Sequence, residues 1–135
     1  MKKMLNVLNH YFGTKLLNRL DPEISHAIAL CYLRLLNQFV KKKGIGASIL
    51  KTQIAGMEVP SPIGLAAGFD KNAEVFNATL SLGFGFVEVG TITPDPQFGN
   101  LKPRLFRLLK EDALVNKLGF NNKGMLFVSK IARKP

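Results

Sequence analysis

The sequence predicts an α/β fold in which a helical hairpin precedes two strand-and-helix units. Three observations support this prediction. Apolar residues recur at helical spacing over residues 1–43, a short apolar run at 63–66 ends in a glycine turn, and a second run at 86–89 repeats the scheme. We therefore divide the 135 residues into a helical segment, 1–43, and an α/β segment, 44–135.

The first predicted helix, residues 4–20, is amphipathic. Its apolar positions follow the spacing of three and four residues that places side chains on one face of a helix. They are Met4, Leu5, Val7, Leu8, Tyr11, Phe12, Leu16 and Leu20. Lysine and arginine residues occupy positions between them, so this helix combines an apolar stripe with positive charge.

The second predicted helix begins at Pro22 and runs to about Val40. Asp21 can accept a hydrogen bond from a first-turn amide, Pro22 suits the first helical position, and Glu23 favours the positive end of the helix. One face of the helix is apolar and contains Ile24, Ala27, Ile28, Cys31, Leu35 and Phe39. Polar residues interrupt the segment, so it falls short of the near-continuous run of about twenty apolar residues that spans a membrane.

Positive charge is concentrated in the first part of the chain. The formal net charge is +10, and residues 1–51 contain nine Lys or Arg against Asp21 and Glu23 alone. Such a field suits an anionic lipid surface, whereas no DNA- or RNA-binding motif accompanies it. The two helices suit either an interfacial hairpin on an anionic membrane surface or a pair of helices that packs on the rest of the protein, and the residues by themselves favour packing. No nucleic-acid partner is predicted.

The stretch at 62–73 is the strongest candidate for a binding site. Its apolar residues at 63–66 predict a buried parallel strand, and residues 73–82 predict the helix behind it. Small residues after the strand allow backbone amides to approach a flat or anionic ligand. Lys71 lies just past the carboxyl end of the strand, where α/β folds keep their ligand sites. The alternative is that Asp70 and Lys71 form a solvated surface pair.

The neighbouring segments contain further predicted strands and one long loop. Residues 52–60 predict a small hairpin that turns at Ala55-Gly56. The irregular stretch at 93–103 is long for a compact domain, which indicates a functional loop. Arg104 and Arg107 flank Leu105-Phe106, a stretch that we interpret as a short strand.

An amide-rich stretch follows at 116–122. Side-chain amides donate and accept hydrogen bonds without changing charge, which suits recognition of a small polar substrate. Clusters of Asn and Gly are also common in ordinary turns, so composition alone leaves both interpretations open. Residues 123–133 predict a final helix.

Together these motifs closely resemble class 2 dihydroorotate dehydrogenase, the membrane-associated, quinone-reducing, FMN-dependent enzyme family of pyrimidine biosynthesis. The matching segments are Gly64 to Lys71, Glu88-Val-Gly-Thr-Ile-Thr-Pro94, Pro96-Gln97, Gly99-Asn100, Lys102-Pro-Arg-Leu-Phe-Arg107 and Asn116 to Asn122. They follow the family's order at matching spacings, and the resemblance covers nearly the whole chain. The chain departs from the family's pattern at Asp95 and at Lys117-Leu118.

The resemblance implies a TIM-type (β/α)8 barrel behind an N-terminal hairpin that lies on the membrane. Such a barrel has eight strands and typically about 250 residues. The chain would therefore supply the hairpin and the first two βα units of an incomplete barrel. The resemblance also implies a peripheral position on the cytoplasmic face of a bacterial inner membrane.

The resemblance assigns site residues in three groups. FMN would contact Ala67, Gly68, Phe69, Asp70, Lys71 and Thr91. Dihydroorotate would contact Lys71, Asn116, Lys117, Leu118, Gly119, Phe120 and Asn121. His26 and Arg107 would face the tunnel for ubiquinone or menaquinone, and no metal site is predicted. The resemblance places the catalytic base, a serine, beyond this chain, so no residue here is assigned as catalytic.

The resulting prediction is FMN-dependent oxidation of dihydroorotate to orotate with a quinone as electron acceptor. We expect the chain, as an N-terminal portion, to be inactive by itself. The alternative is a non-catalytic membrane-surface protein in which the basic hairpin carries the function. Liposome binding that survives deletion of residues 52–135 would support that alternative. A complete enzyme within this chain is the weakest of the three hypotheses.

Overall fold

The structure is a computed structural model that describes residues 15–37 and 48–133 of the chain. Most of the first predicted helix and the last residues of the second therefore lie outside the described residues. Of the hairpin predicted at 1–43, the described part is 15–37, so the hairpin as a whole stays a prediction.

Helix α1 spans Pro22–Asn37 and begins as the sequence predicts. The Asp21 carboxylate accepts hydrogen bonds from the Glu23 amide at 2.9 Å and from the Ile24 amide at 3.1 Å. These bonds satisfy two amides of the first turn, which have no partner within the helix itself.

A short helical stretch at residues 15–19 precedes α1. The Ser25 hydroxyl donates to the Leu17 carbonyl oxygen at 2.6 Å and so joins the two helical stretches. Over the described ranges, no helix combines the length and the apolar character needed to cross a membrane.

A small antiparallel hairpin follows. After a 3₁₀ turn at Ser48–Leu50, strand β1 (Thr52–Ile54) pairs with strand β2 (Met57–Val59). The chain turns between them at Ala55 and Gly56, as predicted.

The central unit is a parallel pair of strands with a helix between them in sequence. Strand β3 (Gly64–Leu65) leads to helix α2 (Phe76–Ser81) and then to strand β4 (Phe86–Val87). Gly64 pairs with Phe86 and Leu65 pairs with Val87. Parallel pairing brings the carboxyl ends of both strands to one edge, so the loops after them meet there.

The predicted burial of the first strand is wrong. Ile63 is 67% exposed, Ala66 is exposed and Leu65 is only partly buried. A parallel strand is buried when it has neighbours on both sides and covered faces. Within the described residues β3 and β4 pair only with each other, so this sheet has two strands and no closed barrel forms.

The last part of the chain forms a second antiparallel hairpin and a helix. Strands β5 (Leu105–Leu108) and β6 (Ala113–Asn116) pair along their whole length. The sequence does not predict β6, because a run of four residues carries no clear period. Helix α3 spans Met125–Ala132, inside the predicted range of 123–133.

The core lies between α1 and α2. A buried cluster contains Leu33, Val75 and Ala78, with Leu30, Leu36 and Phe69 packed against it. Val75 comes just before α2, and Phe69 belongs to the turn after β3. The core therefore supports the turn that carries the candidate binding residues.

Candidate functional site

A cavity of about 780 Å³ lies between α1, the loops after β3 and β4, and the β5–β6 hairpin. We call it the main cavity. It brings together residues from all three predicted groups. Those that line it are Ala67, Gly68, Phe69, Lys71 and Thr91, then Asn116, Lys117, Leu118, Gly119, Phe120 and Asn121, and finally His26 and Arg107. Of the predicted site residues, Asp70 alone does not line this cavity.

The turn after β3 is shaped by Gly68 and Asp70. Gly68 has a φ of +108°, a backbone conformation that glycine adopts without strain. The Asp70 side chain accepts hydrogen bonds from the amides of Glu74 and Val75, both at 2.8 Å, and the residue is only 1% exposed. Asp70 therefore holds the turn from the inside, while Lys71 faces the cavity.

Gly90 allows the loop after β4 to approach this turn closely. Its amide donates to the Asp70 carbonyl oxygen at 3.0 Å. A Cβ atom at position 90 would lie 3.0 Å from the Lys71 Cα atom, closer than ordinary packing allows. Glycine at this position brings Thr91 and Lys71 into one cavity wall.

Among the residues that the structure describes, the Lys71 ammonium group of the main cavity has no ion-pair partner. Lys71 is partly buried, and no hydrogen bond or ion pair joins its ammonium group to another described residue. Burial lowers the pKa of Lys71 and the nearby Arg104 guanidinium lowers it further, whereas the Glu23 carboxylate opposes the change. An anionic or electron-rich ligand would stabilise this charge.

The amide loop, residues 116–121, is held by two side chains of the preceding loop. Gln97 donates from its side-chain amide to the Gly119 carbonyl oxygen at 2.8 Å, and Asn100 donates likewise to Lys117 at 2.7 Å. Because both bonds end on main-chain carbonyls, they set the course of the loop without occupying its side-chain amides.

Asn121 contributes a second unsatisfied group. Its side-chain Oδ1 atom is buried and has no hydrogen-bond partner among the described residues. Asn121 lines both the main cavity and an adjoining cavity of about 570 Å³, as do His26, Lys71, Leu105 and Leu118. A buried oxygen without a partner costs free energy, and a ligand that donates a hydrogen bond there would remove that cost.

The adjacent Asn122 differs from Asn121 because its amide is fully used within the protein. Its Nδ2 atom donates to the Thr93 hydroxyl at 2.9 Å and to the Phe120 carbonyl oxygen at 2.8 Å. Its Oδ1 atom accepts from the Gly124 amide at 2.8 Å. Asn122 is therefore a structural residue of the loop, whereas Asn121 is available to a ligand.

His26 and Arg107 approach the main cavity from the helical side. The His26 ring donates from Nε2 to the Phe69 carbonyl oxygen at 2.6 Å, and the two rings pack edge to face with centroids 5.2 Å apart. Arg107 donates from Nη1 to the Asn18 side-chain oxygen at 2.7 Å. Both contacts join the helical segment to the α/β segment, so the predicted quinone residues lie at this junction.

Sequence reasoning missed the role of Arg104. Its buried guanidinium pairs with the Glu23 carboxylate of α1 at 2.6 Å. Arg104 precedes β5 and Arg107 lies within it, and a spacing of three residues in extended chain places side chains on opposite faces. The acidic partner lies 81 positions away in the chain, and no local pattern indicates it.

The arrangement suits a planar polar ligand more than a metal ion. A metal site needs several convergent carboxylate, imidazole or thiolate groups. The main cavity instead offers an ammonium and an amide oxygen that have no partner in the described part of the chain, and a turn of small residues at Ala67 and Gly68. These groups can hold a flat ring that carries carbonyl and N–H groups.

Comparison with known proteins identifies relatives of this chain. The family described as dihydroorotate dehydrogenase matches this chain over residues 49–134. A dihydroorotate dehydrogenase (quinone) of Rhodopseudomonas palustris (strain HaA2) is 52% identical over 113 residues, which make up 84% of this chain and 30% of that protein. A dihydroorotate dehydrogenase (quinone) of Teredinibacter turnerae (strain ATCC 39867 / T7901) is 47% identical over an alignment of 126 residues, and the match covers 91% of this chain and 37% of that protein.

Two solved structures match this chain over part of their length. DHODH from Eimeria tenella in complex with ferulenol matches with a TM-score of 0.72 and 44% identity, over 82% of this chain and 29% of that chain. The ligand-free form matches with a TM-score of 0.73 and 44% identity, over 82% of this chain and 30% of that chain.

The chain spans 30–37% of the length of these two curated relatives. Its described residues correspond to part of a TIM-barrel enzyme and form no closed barrel. The match over residues 49–134 and the identities near 50% show that the chain belongs to the dihydroorotate dehydrogenase family, with relatives of the quinone type.

Proposed function

We propose that this chain is the N-terminal part of an FMN-dependent enzyme that oxidises dihydroorotate to orotate and passes the electrons to a quinone. The observation that carries the proposal is the partly buried Lys71 ammonium, which has no ion-pair partner among the described residues and shares a cavity with the unpaired Asn121 oxygen. A cation and an acceptor left without partners are the groups that a bound anion with N–H groups would satisfy.

The residues around the turn after β3 fit a flavin. Ala67, Gly68 and Phe69 would lie against the ring, Lys71 and Thr91 would supply polar contacts, and Asp70 would act indirectly by holding the turn. Bound FMN would supply the redox chemistry, as the acceptor for the hydride that dihydroorotate loses. The protein's part is to place ring and substrate against one another and to exclude water.

The amide loop fits dihydroorotate. The substrate has a carboxylate and a ring with carbonyl and N–H groups, and it needs one cation together with several neutral donors and acceptors. Lys71 would pair with negative charge, while Asn116 and Asn121 would face the ring groups, with Lys117, Leu118, Gly119 and Phe120 completing the loop. We assign no proton-abstracting role to a residue of this chain and expect the chain to be inactive by itself.

The quinone side of the proposal rests on α1. His26 and Arg107 would face ubiquinone or menaquinone at the junction of the helical and α/β segments. The outward face of α1 exposes Ile24, Ile28 and Leu35, which suits contact with acyl chains. The proposal places the protein peripherally on the cytoplasmic face of a bacterial inner membrane.

A non-catalytic membrane-surface protein would account for α1 alone. That function does not explain why Lys71, Asn121 and Thr91 line one cavity with the amide loop. The dehydrogenase proposal accounts for both features, so we retain it as the single proposed function.

Flavin binding tests the proposal directly. The chain is purified in detergent, FMN is titrated by fluorescence, and the titration is repeated with Lys71→Met and with Lys110→Met. Lys110 is exposed on the β5–β6 turn and does not line the cavity, so it is the matched control. We expect FMN to bind, Lys71→Met to weaken binding about tenfold, or about 1.4 kcal/mol, and Lys110→Met to leave it unchanged.

Orotate provides the second half of this test. Adding it to the FMN-loaded chain is expected to shift the flavin absorbance spectrum, because the ligand and the ring share one cavity. A purified, folded chain that binds neither FMN nor orotate would refute the assignment of this cavity. Equal weakening by both lysine substitutions would show that the effect of Lys71 is one of overall charge.

A further inference from the structure

Arg104 is a buried arginine that touches two separate parts of the chain, and its side chain is 10% exposed. Its Nη2 and Nε atoms donate to the Glu23 carboxylate of α1 at 2.6 and 3.2 Å. Its Nη1 atom donates to the carbonyl oxygens of Phe98 and Asn100 at 2.6 and 3.0 Å. One guanidinium therefore joins helix α1 to the loop at 97–100.

The loop at 97–100, which we call the bracing loop, runs beside the amide loop. Gln97 and Asn122 exchange two backbone hydrogen bonds of 2.9 Å. The Asn100 amide donates to the Leu118 carbonyl oxygen at 3.0 Å. With the side-chain bonds from Gln97 and Asn100, these contacts make the position of the amide loop depend on the position of the bracing loop.

On the helical side, the Arg104 contact with Glu23 lies close to His26. Glu23 and His26 are three residues apart in α1, so they lie next to one another on one side of the helix. The Arg104 hydrogen bonds lower the pKa of Glu23 despite the opposing effect of burial, and Lys102, at 3.3 Å, acts in the same direction as Arg104. The carboxylate is therefore charged at neutral pH and holds α1 to the guanidinium.

A second ion pair connects α1 to the α/β segment without involving either loop. Arg34 donates to the Glu74 carboxylate at 2.7 Å, and Lys123 pairs with the same carboxylate at 2.8 Å. Arg34 is about half exposed. It offers a matched control, because its removal also cuts an arginine–glutamate link to α1.

We propose that Arg104 is a positioning residue that couples the two ends of the main cavity. It holds the bracing loop, and through it the amide loop, in a set position relative to the helix that carries His26. This inference rests on the proposed function for its catalytic consequence. Arginine is needed because one planar fork bonds a carboxylate and two carbonyl oxygens at once, which a lysine cannot do.

The first test uses the 135-residue chain itself and needs no activity. Hydrogen exchange is followed at the backbone amides of Gln97, Asn100, Lys117 and Asn122, which are all hydrogen-bonded in this region. We expect Arg104→Gln to speed exchange at these amides about tenfold, whereas Arg34→Gln leaves them within about twofold of the unmodified chain. Equal effects of the two substitutions would overturn the coupling role.

The second test uses the complete enzyme, obtained by placing this chain in the matching segment of a quinone-type relative. Arg104→Gln is expected to raise KM for dihydroorotate and KM for quinone about tenfold each, with kcat changed less than about threefold. Arg34→Gln is expected to change neither KM more than about twofold. Arg104→Lys should resemble Arg104→Gln in KM for dihydroorotate, and full recovery with lysine would contradict the requirement for a planar fork.

Glu23→Gln provides a third test, which also applies if Arg104→Gln does not fold. It leaves the donors to Phe98 and Asn100 in place and weakens only the link to α1. We expect KM for quinone to rise while KM for dihydroorotate stays within about twofold of the unmodified value. The reverse pattern would overturn the proposal. An unmodified enzyme that does not oxidise dihydroorotate would instead refute the proposed function, and the exchange experiment would still decide the coupling.

Discussion

The two faces of helix α1 carry similar apolar residues and have opposite surroundings. On the inner face, Leu33 is 6% exposed and packs in the cluster with Val75 and Ala78. On the outer face, Leu35 is 56% exposed and Ile24 is 55% exposed. Two leucines of one helix, two positions apart, thus differ completely in burial.

The difference shows that a partner element, not residue type, decides which face of an apolar helix is buried. Helix α2 packs against α1 and covers the inner face. The outer face, which the sequence singles out as the apolar stripe, has no comparable cover in the described part of the chain. Such a face suits the interfacial role that we propose for α1.

The largest expected effect comes from exchanging the same residue type on the two faces. Leu33→Ala is expected to lower the free energy of unfolding by about 2–4 kcal/mol, because it leaves a cavity in the core. Leu35→Ala, the matched control, is expected to change it by less than about 0.5 kcal/mol. Urea unfolding followed by circular dichroism measures both. Equal losses would mean that both faces are packed.

A substitution in the turn after β3 should lower the free energy of unfolding almost as much. Asp70→Ala removes the acceptor of the Glu74 and Val75 amides and is expected to lower the free energy of unfolding by about 1–3 kcal/mol. Asp95→Ala alters an exposed carboxylate and serves as the control in the same urea experiment. A stability that Asp70→Ala leaves unchanged would show that water replaces the carboxylate.

The outer face can be tested by membrane binding. Replacing both Ile24 and Ile28 with serine is expected to weaken binding to anionic liposomes about tenfold, or about 1.4 kcal/mol, with unfolding little changed. Replacing Ile49 and Ile63 with serine changes two exposed isoleucines outside α1 and is the control. Sedimentation with vesicles measures both. Equal weakening would argue against a specific role of α1.

The smallest expected effect is a pH dependence from the ion pair beside the core. Burial raises the pKa of Glu74, but contacts with Lys123, Arg34 and Asn72 outweigh it and leave the pKa below its usual 4.5. The folded state therefore binds a proton less readily than the unfolded state. The stabilisation is present above pH 4.5 and is lost as the pH falls through the lowered pKa.

Glu74→Gln should remove this part of the pH dependence, which urea unfolding at neutral and acidic pH would measure. Glu58→Gln, at an exposed carboxylate, is expected to leave the acid-induced loss in place. If Glu74→Gln loses as much stability in acid as the unmodified chain, the loss arises from other carboxylates, such as Glu23.

Much of the fold could be predicted because its signals are local. The start of α1 at Asp21 and the turn at Ala55-Gly56 depend on hydrogen bonds and backbone preferences within a few residues. The short strand β6 could not be predicted in this way, since its pairing with β5 is decided between strands. The same holds for the exposure of Ile63, which depends on how many strands neighbour β3.

The family resemblance named residues that the structure brings together in the main cavity, because a resemblance transfers residue types to matching positions. It could not distinguish Asp70, which holds the turn, from Lys71, which faces the cavity. Nor could it distinguish Asn121, whose oxygen lacks a partner, from Asn122, whose amide is used within the loop. Side-chain direction in an irregular loop depends on contacts that no periodicity encodes.

By itself the sequence determined the order of the elements, the helix start, the turns and the family motifs, because each follows from residues close together in the chain. Tertiary structure alone decided which face of α1 is buried, which amide stays unpaired and that Arg104 meets Glu23. These depend on contacts between distant residues, as the 81 positions between Arg104 and Glu23 illustrate. Packing selects such contacts by shape and charge once the elements have assembled.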